Sequence, residues 1–259
     1  MTAHRRRLTT AVATALLLVA CAEASGDADT SGGQITGQIT VFAAASLTDA
    51  FDELSAAFVE RHEGVSVVLN HAGSQTLASQ IAEGAPGDVF ASANVRQMAV
   101  VDDAGLLAGP PRTFASNTLE IAVEPGNPLA ISGLADLAAE DLLLVLPTEE
   151  VPAGRYAREA LDAAAVTVAP ASLERDVRAA LGKVGLGEAD ASIVYASDVS
   201  AAGDRVEGVR IPPEDNVAAT YPVAMLADAP NPRAGEAFVA FLLSEDGRAI
   251  LSDAGFGAP

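Results

Sequence analysis

The sequence predicts an α/β fold with largely parallel sheets, arranged as two lobes that the chain crosses between twice. Three observations lead there. From Gln38 onward, short apolar runs alternate with segments of helical apolar spacing; no repeat or long polar stretch interrupts them; and a late apolar strand, Tyr221 to Leu226, returns after a second series of units has ended. The first lobe is expected at residues 36–117 plus 219–259 and the second at 118–218, with the two crossings as hinge. Ligands of such folds sit at the carboxyl ends of strands.

Taken in order, Ile39 to Ala43 reads as a strand, and Leu47, Ala50, Phe51, Leu54 and Phe58 recur at helical spacing. Val65 to Leu69 is the next strand, Leu77 to Ile81 lies in a helix, and Val89 to Ala91 is a third strand. The second series comprises strands at Ile121 to Val123, Leu142 to Leu146 and Ser192 to Tyr195, with helices at Val151 to Ala165 and Leu173 to Leu181. After the crossing strand, two helical segments place Phe238, Phe241 and Leu242 on one face, followed by Ile250 and Leu251.

Composition removes several function classes. The formal charge of the 259-residue chain is −20 and its one lysine is Lys183, so it lacks the basic face that neutralises nucleic-acid phosphates. Aromatic residues make up 4% with no tryptophan, which argues against binding by stacked rings. A single cysteine, Cys21, allows no intrachain disulfide and no Cys-ligand zinc site.

The position of Cys21 explains it. His4-Arg5-Arg6-Arg7 is a positive n-region, Leu8 to Ala20 is a short apolar stretch, and Leu18-Val19-Ala20-Cys21 resembles a bacterial lipoprotein processing box. The stretch is too short for a permanent membrane span. Residues 1–20 are therefore expected to be a lipoprotein signal peptide, with Cys21 the lipidated residue, and 21–35 a flexible tether reaching about 20 Å. An ordinary secretory signal is the alternative; both export the protein.

Chemistry-bearing residues cluster at strand-to-helix junctions. In Ala43-Ala44-Ala45-Ser46-Leu47-Thr48-Asp49 and in His71-Ala72-Gly73-Ser74-Gln75-Thr76-Leu77, a serine stands where a helix begins. A helix N-terminus offers free N–H groups and partial positive charge to an oxyanion; equally, Ser46 could cap its own helix with Asp49 completing the cap. The second lobe supplies Val151-Pro152-Ala153-Gly154-Arg155, where small residues leave the amides unobstructed, Glu174-Arg175-Asp176-Val177-Arg178, and Ile193-Val194-Tyr195-Ala196-Ser197-Asp198.

Together these segments resemble the molybdate-binding proteins of ABC importers, which have the two-lobed type II periplasmic-binding-protein fold. The stretches that carry the likeness are AAASLT at 43–48, GSQTLASQI at 73–81, EGAPGDVFASA at 83–93, EVPAGRYAREAL at 150–161, ERDVRAAL at 174–181, SIVYASD at 192–198 and TYPVA at 220–224. The resemblance implies an extracytoplasmic monomer that captures molybdate or tungstate, without a cofactor, and delivers it to a membrane permease driven by an ATPase subunit. It assigns anion binding to Ser46 and Ser74 through hydroxyl and N–H, to Ala153 and Val177 through N–H, and to the Tyr195 hydroxyl. Molybdenum then enters only as the oxyanion, with no direct cation site. Gly73 and Gln75 depart from the serines usual beside Ser74.

Neutral donors alone favour a fully deprotonated tetrahedral dianion over monohydrogen phosphate, which needs an acceptor. Another oxyanion such as sulfate stays open, and an arginine entering the cleft, Arg155 or Arg178, would favour a different anion or a carboxylate. A serine hydrolase would need a base; His71 is near Ser74 in sequence, but no G-x-S-x-G elbow surrounds either serine. Glu149-Glu150 reads as a solvated loop rather than a metal site, and Gly182-Lys183-Val184-Gly185-Leu186-Gly187 as a helix stop.

Overall fold

A computed structural model describes residues 34–259; the signal peptide, Cys21 and residues 22–33 of the tether lie outside the described residues. The chain opens with β1 (Gly37–Ala44), which passes through the 3-10 turn Ala45–Leu47 into α1 (Thr48–Arg61). Two more units follow: β2 (Val65–Ala72) with α2 (Ser74–Ala82), and β3 (Val89–Ala91) with α3 (Val95–Asp103). β4 (Arg112–Asn117) leads across Thr118 into β5 (Leu119–Val123). Then come β6 (Val145–Pro147), α4 (Pro152–Ala163), β7 (Ser172–Glu174), α5 (Val177–Gly185), β8 (Ala191–Tyr195), α6 (Ala196–Ala202) and β9 (Glu207–Arg210). β10 (Ala219–Met225), α7 (Pro232–Leu242) and α8 (Glu245–Asp253) complete the fold.

The strands form a five-stranded sheet in the order β2-β1-β3-β10-β4, a three-stranded sheet β8-β5-β9, and the pair β6-β7. The first sheet therefore draws on residues 37–117 and 219–225 and the others on 119–210. Pairing is less uniformly parallel than the sequence suggests. β1 is parallel to β2 and β3, and β6 to β7, but β10 runs antiparallel to β3 and β4, and β5 antiparallel to β8 and β9. The crossing segments cause this, because β4 and β10 enter the first sheet as an antiparallel pair rather than through a helix.

Apolar spacing builds the core as expected. α1 buries Ala50, Phe51, Leu54 and Phe58, and α7 buries Phe238, Phe241 and Leu242. The two helices meet through rings, with Phe58 and Phe238 edge-on at 5.3 Å.

One helix is shorter than the reading Leu173 to Leu181. Ser172–Glu174 pairs with β6, and α5 starts only at Val177, because Asp176 adopts an extended conformation and its Oδ1 accepts the Ala179 N–H at 2.8 Å. Leu173 faces solvent, so its apolar character is not a core signal. The helix also runs through Gly182 to Gly185; the turn comes at Gly187, with φ +69°.

Two buried carboxylates tie segments together. Asp88, just ahead of β3, accepts the Thr40 N–H on Oδ2 at 2.7 Å and the Asn231 N–H on Oδ1 at 2.6 Å, joining β1 to the start of α7. Asp198, in α6, is fully buried: its Oδ2 accepts the Tyr195 N–H at 3.2 Å and its Oδ1 lies 3.1 Å from Arg178 Nε. Arg178 of α5 also pairs with Asp49 in the first turn of α1, so one guanidinium links residues of the two expected lobes. Burial pushes the Asp198 carboxyl up to about 6, against the pull of Arg178 and with a smaller push from Asp49 and Asp176.

Replacing Asp88 by alanine leaves two part-buried N–H groups without their acceptor and is expected to lower unfolding stability by about 1–3 kcal/mol, read by denaturant melts. A loss below half a kilocalorie would show that the bridge is replaceable. For Asp198 the folded carboxyl holds its proton more tightly than the unfolded one, whose ordinary value is 3.8, so the stability it contributes is present at low pH and lost as pH rises towards about 6. Relative to Asp198→Asn, which cannot ionise, the wild type should lose about 1–3 kcal/mol between pH 4 and pH 6 and then stay level; parallel curves for the two proteins would contradict this.

Candidate functional site

Register decides where the junction residues go. Ala44 of β1 is paired with Ala72 of β2, and Ser46 and Ser74 each stand two residues beyond that pair. Ala43 is paired in turn with Ala91 of β3, and two residues beyond Ala91 is Ala93. Three strands thus end level, and each hands its chain to a helix at the same sheet edge. β10 comes back antiparallel with Val223 opposite Ala91, which brings Tyr221 to that edge as well.

The remaining residues repeat the device. Pro147 of β6 is paired with Glu174 of β7, and the first turns of α4, with Ala153, and α5, with Val177, follow those ends. Tyr195 ends β8 opposite Leu119, directly after the crossing between β4 and β5. All five residues are buried, none more than 4% exposed.

Several contacts carry the two groups of junctions towards one another. The Ser46 hydroxyl is 3.0 Å from the Tyr221 hydroxyl, and the Tyr221 ring meets the Tyr195 ring edge-on at 5.7 Å. Gln75 Nε2 donates to the Arg175 carbonyl at 2.9 Å, bringing the Ser74 turn to the segment that begins α5. Gln97 Nε2 donates to the Glu150 carbonyl at 3.3 Å, next to the start of α4. Ser46, Tyr195 and Tyr221 form one cluster by direct contact, while the two glutamine bonds bring the starts of α2 and α3 to the segments that lead into α5 and α4.

The hydroxyls are set as donors. Ser74 Oγ accepts the Ala93 N–H at 3.0 Å, so its own proton is left to donate elsewhere. The Tyr195 hydroxyl is buried with no hydrogen-bond partner. Burial also pushes the phenols of Tyr195 and Tyr221 well above their ordinary range, so both remain protonated at neutral pH. Helix N-terminal amides at α2, α4 and α5 add the partial positive charge that suits an anion.

The alternative roles fare as follows. Ser46 does not cap α1, whose N-terminus has no side-chain cap, and Asp49 is taken by Arg178. Arg178 is held between Asp49 and Asp198, which neutralise it, so it is not a free cation for the anion. His71 Nε2 lies 3.8 Å from Asp52, and both serines have other partners. Glu149 is an exposed loop residue paired with Arg158. Among the described residues no group of three or more His, Cys, Asp or Glu could hold a metal ion.

Gly154 has a reason different from open amides. A Cβ there would stand 2.1 Å from the Thr148 carbonyl oxygen and 2.4 Å from that of Pro147, so glycine lets α4 begin hard against the end of β6. The departures at 73 and 75 belong together: a Cβ on Gly73 would meet the Gln75 side chain at 2.5 Å and the Arg175 carbonyl at 2.9 Å. The sequence did not mark Tyr221, which stands against Ser46. TYPVA was legible as a motif, but nothing local says that its tyrosine points to Ser46.

Comparison with known proteins agrees with this architecture. Residues 39–257 match the family described as bacterial extracellular solute-binding protein. The chain is 40% identical over 256 residues to the molybdate-binding protein ModA of Mycobacterium tuberculosis, covering 97% of this chain and 98% of that one. It is 36% identical over 238 residues to the molybdate-binding protein ModA of Escherichia coli, covering 85% and 89%. In three dimensions it superposes on the periplasmic molybdate-binding protein of Azotobacter vinelandii with a TM-score of 0.75 at 20% identity, covering 85% of this chain and 99% of that one, a likeness of fold. The fold is accordingly that of the two-lobed periplasmic binding proteins, and the chain belongs to the bacterial extracellular solute-binding protein family, a family of binding proteins rather than enzymes.

Proposed function

We propose that this protein captures molybdate, and tungstate with it, at the meeting point of the strand ends and delivers it to an ABC permease powered by its ATPase subunit. The observation that carries the proposal is a donor-only cluster. Ser46 and Ser74 are buried beyond the level ends of β1 and β2 and Tyr195 is buried at the end of β8; Ser74 Oγ already accepts the Ala93 N–H, and the Tyr195 hydroxyl is unpartnered. The named function of relatives at 40% and 36% identity supports the same ligand.

In this reading Ser46 and Ser74 bind through hydroxyl and N–H, Ala153 and Val177 through N–H, and Tyr195 through its hydroxyl. Hydrogen bonds from neutral donors to a desolvated charge contribute about 1.5–3 kcal/mol each. Several together support micromolar or tighter binding without a lysine or arginine. The two chain crossings act as hinge between lobes at 36–117 plus 219–259 and at 118–218, and ligand contacts from both favour the closed form. Cys21 carries a lipid that holds a monomeric receptor at the outer face of the plasma membrane, with residues 21–35 as tether.

Calorimetry against molybdate, tungstate, sulfate and phosphate tests the ligand: molybdate and tungstate should bind and phosphate should not, whereas tight sulfate binding with silent molybdate would refute the specificity. Ser46→Ala, Ser74→Ala and Tyr195→Phe should each weaken molybdate binding by about 1–3 kcal/mol; unchanged affinity in all three would remove the site. For the anchor, Cys21→Ala should shift the protein from the membrane fraction to the soluble one, and an unchanged distribution would count against lipidation.

A further inference from the structure

Among the described residues, Tyr221 is the fully buried hydroxyl in contact with a proposed ligand-binding serine that the anion-binding assignment leaves unused. It lies on β10, the returning crossing strand, and its ring is fixed on three sides. Phe256 is edge-on at 5.4 Å, Tyr195 at 5.7 Å and Phe114 at 6.1 Å, so the phenol cannot swing away. Its hydroxyl is 3.0 Å from Ser46 Oγ.

The direction of that bond follows from what surrounds it. A buried hydroxyl proton needs an acceptor. Tyr195 Oη, though a neighbour of that hydroxyl, stands outside hydrogen-bond geometry and is a poorer acceptor than Ser46 Oγ at 3.0 Å. Besides Ser46 and Tyr195, the polar group beside the Tyr221 hydroxyl is the Asn117 amide. Asn117 Oδ1 accepts the Thr118 N–H at 3.0 Å, which turns its Nδ2 towards Ser197 Oγ, 2.8 Å away, and makes nitrogen the outward-facing donor of that amide. Ser46 Oγ is then the acceptor left for the Tyr221 proton. Ser46 thereby keeps its own proton for another partner.

We propose that Tyr221 is a positioning residue for anion binding, one that donates to Ser46 and so turns the Ser46 hydroxyl proton towards the oxyanion without touching the ligand itself. Ser74 gives the same pattern independently, since its oxygen is capped by the Ala93 N–H at 3.0 Å. Each serine of the first sheet edge thus receives one interior donor and presents one proton. The inference rests on the molybdate-binding reading above and adds to it the reason why a neutral serine faces an anion as donor. Were Ser46 to donate inward to Tyr221, its oxygen lone pairs would face the negative charge.

The test is a double-mutant cycle on molybdate affinity with wild type, Ser46→Ala, Tyr221→Phe and the double variant, by calorimetry, with thermal melts of the ligand-free proteins alongside. Tyr221→Phe is expected to weaken binding about tenfold in the wild-type background and by less than about twofold once Ser46 is alanine, because the proton it directs is gone. Equal losses in both backgrounds, or none in the first, would overturn the inference while leaving the molybdate reading intact. Failure of the wild type to bind any anion would remove that reading and the inference with it.

A ligand-free measurement covers the case in which Tyr221→Phe does not fold. The Tyr221 hydroxyl proton, shielded from solvent, should give a slowly exchanging resonance that moves upfield in Ser46→Ala as its acceptor is removed. No movement would overturn the assigned direction.

Discussion

Everything at the site depends on parallel strands ending level. β1, β2 and β3 are held in register by main-chain hydrogen bonds, so Ser46, Ser74 and Ala93 must emerge side by side. A one-residue slip would move each serine and reverse the face on which it stands. The short pair β6-β7 does the same for the starts of α4 and α5. Helix N-termini then gather because the strands that feed them stop together, and the donors they expose come at no cost in charge.

Neutrality is maintained actively. Arg178 begins one residue after Val177 and would be the obvious counter-charge for an anion, yet two carboxylates flank it. The buried Asp198 compensates for the arginine, and Asp49 reaches it from another helix. The donor set proposed above carries no net charge, and hydrogen bonds from neutral groups are individually weaker than those from a guanidinium. The chain's overall −20 charge acts at longer range, on solubility and encounter rate, and leaves the short-range hydrogen bonds to decide what is bound.

Close backbone approach is the second structural requirement. Gly154 permits α4 to start against the carbonyls of Pro147 and Thr148, and the absent side chain of Gly73 makes the space in which Gln75 reaches Arg175. Where the resemblance leads one to expect serines around Ser74, this chain has instead a glycine and a glutamine that together form a contact to the α5 segment. The two departures are one feature.

The sequence alone determined the alternation of strands and helices, the apolar faces of α1 and α7, and the junction positions of Ser46, Ser74, Ala153, Val177 and Tyr195, because all of these follow from local periodicity and from motifs of a few residues. It misplaced the start of α5, where an exposed Leu173 imitated a core position and the Asp176 cap was not recognised. It also gave no sign of the antiparallel pairing of β10 and β5, since strand direction depends on which neighbour a strand finds. Only the tertiary structure brought Tyr221 to Ser46 across 175 positions, set Asn117 against Ser197 and placed Arg178 between Asp49 and Asp198. Short-range spacing encodes which residues can donate; the direction in which each buried proton points is fixed by partners distant in sequence, and these meet only when the sheets have formed.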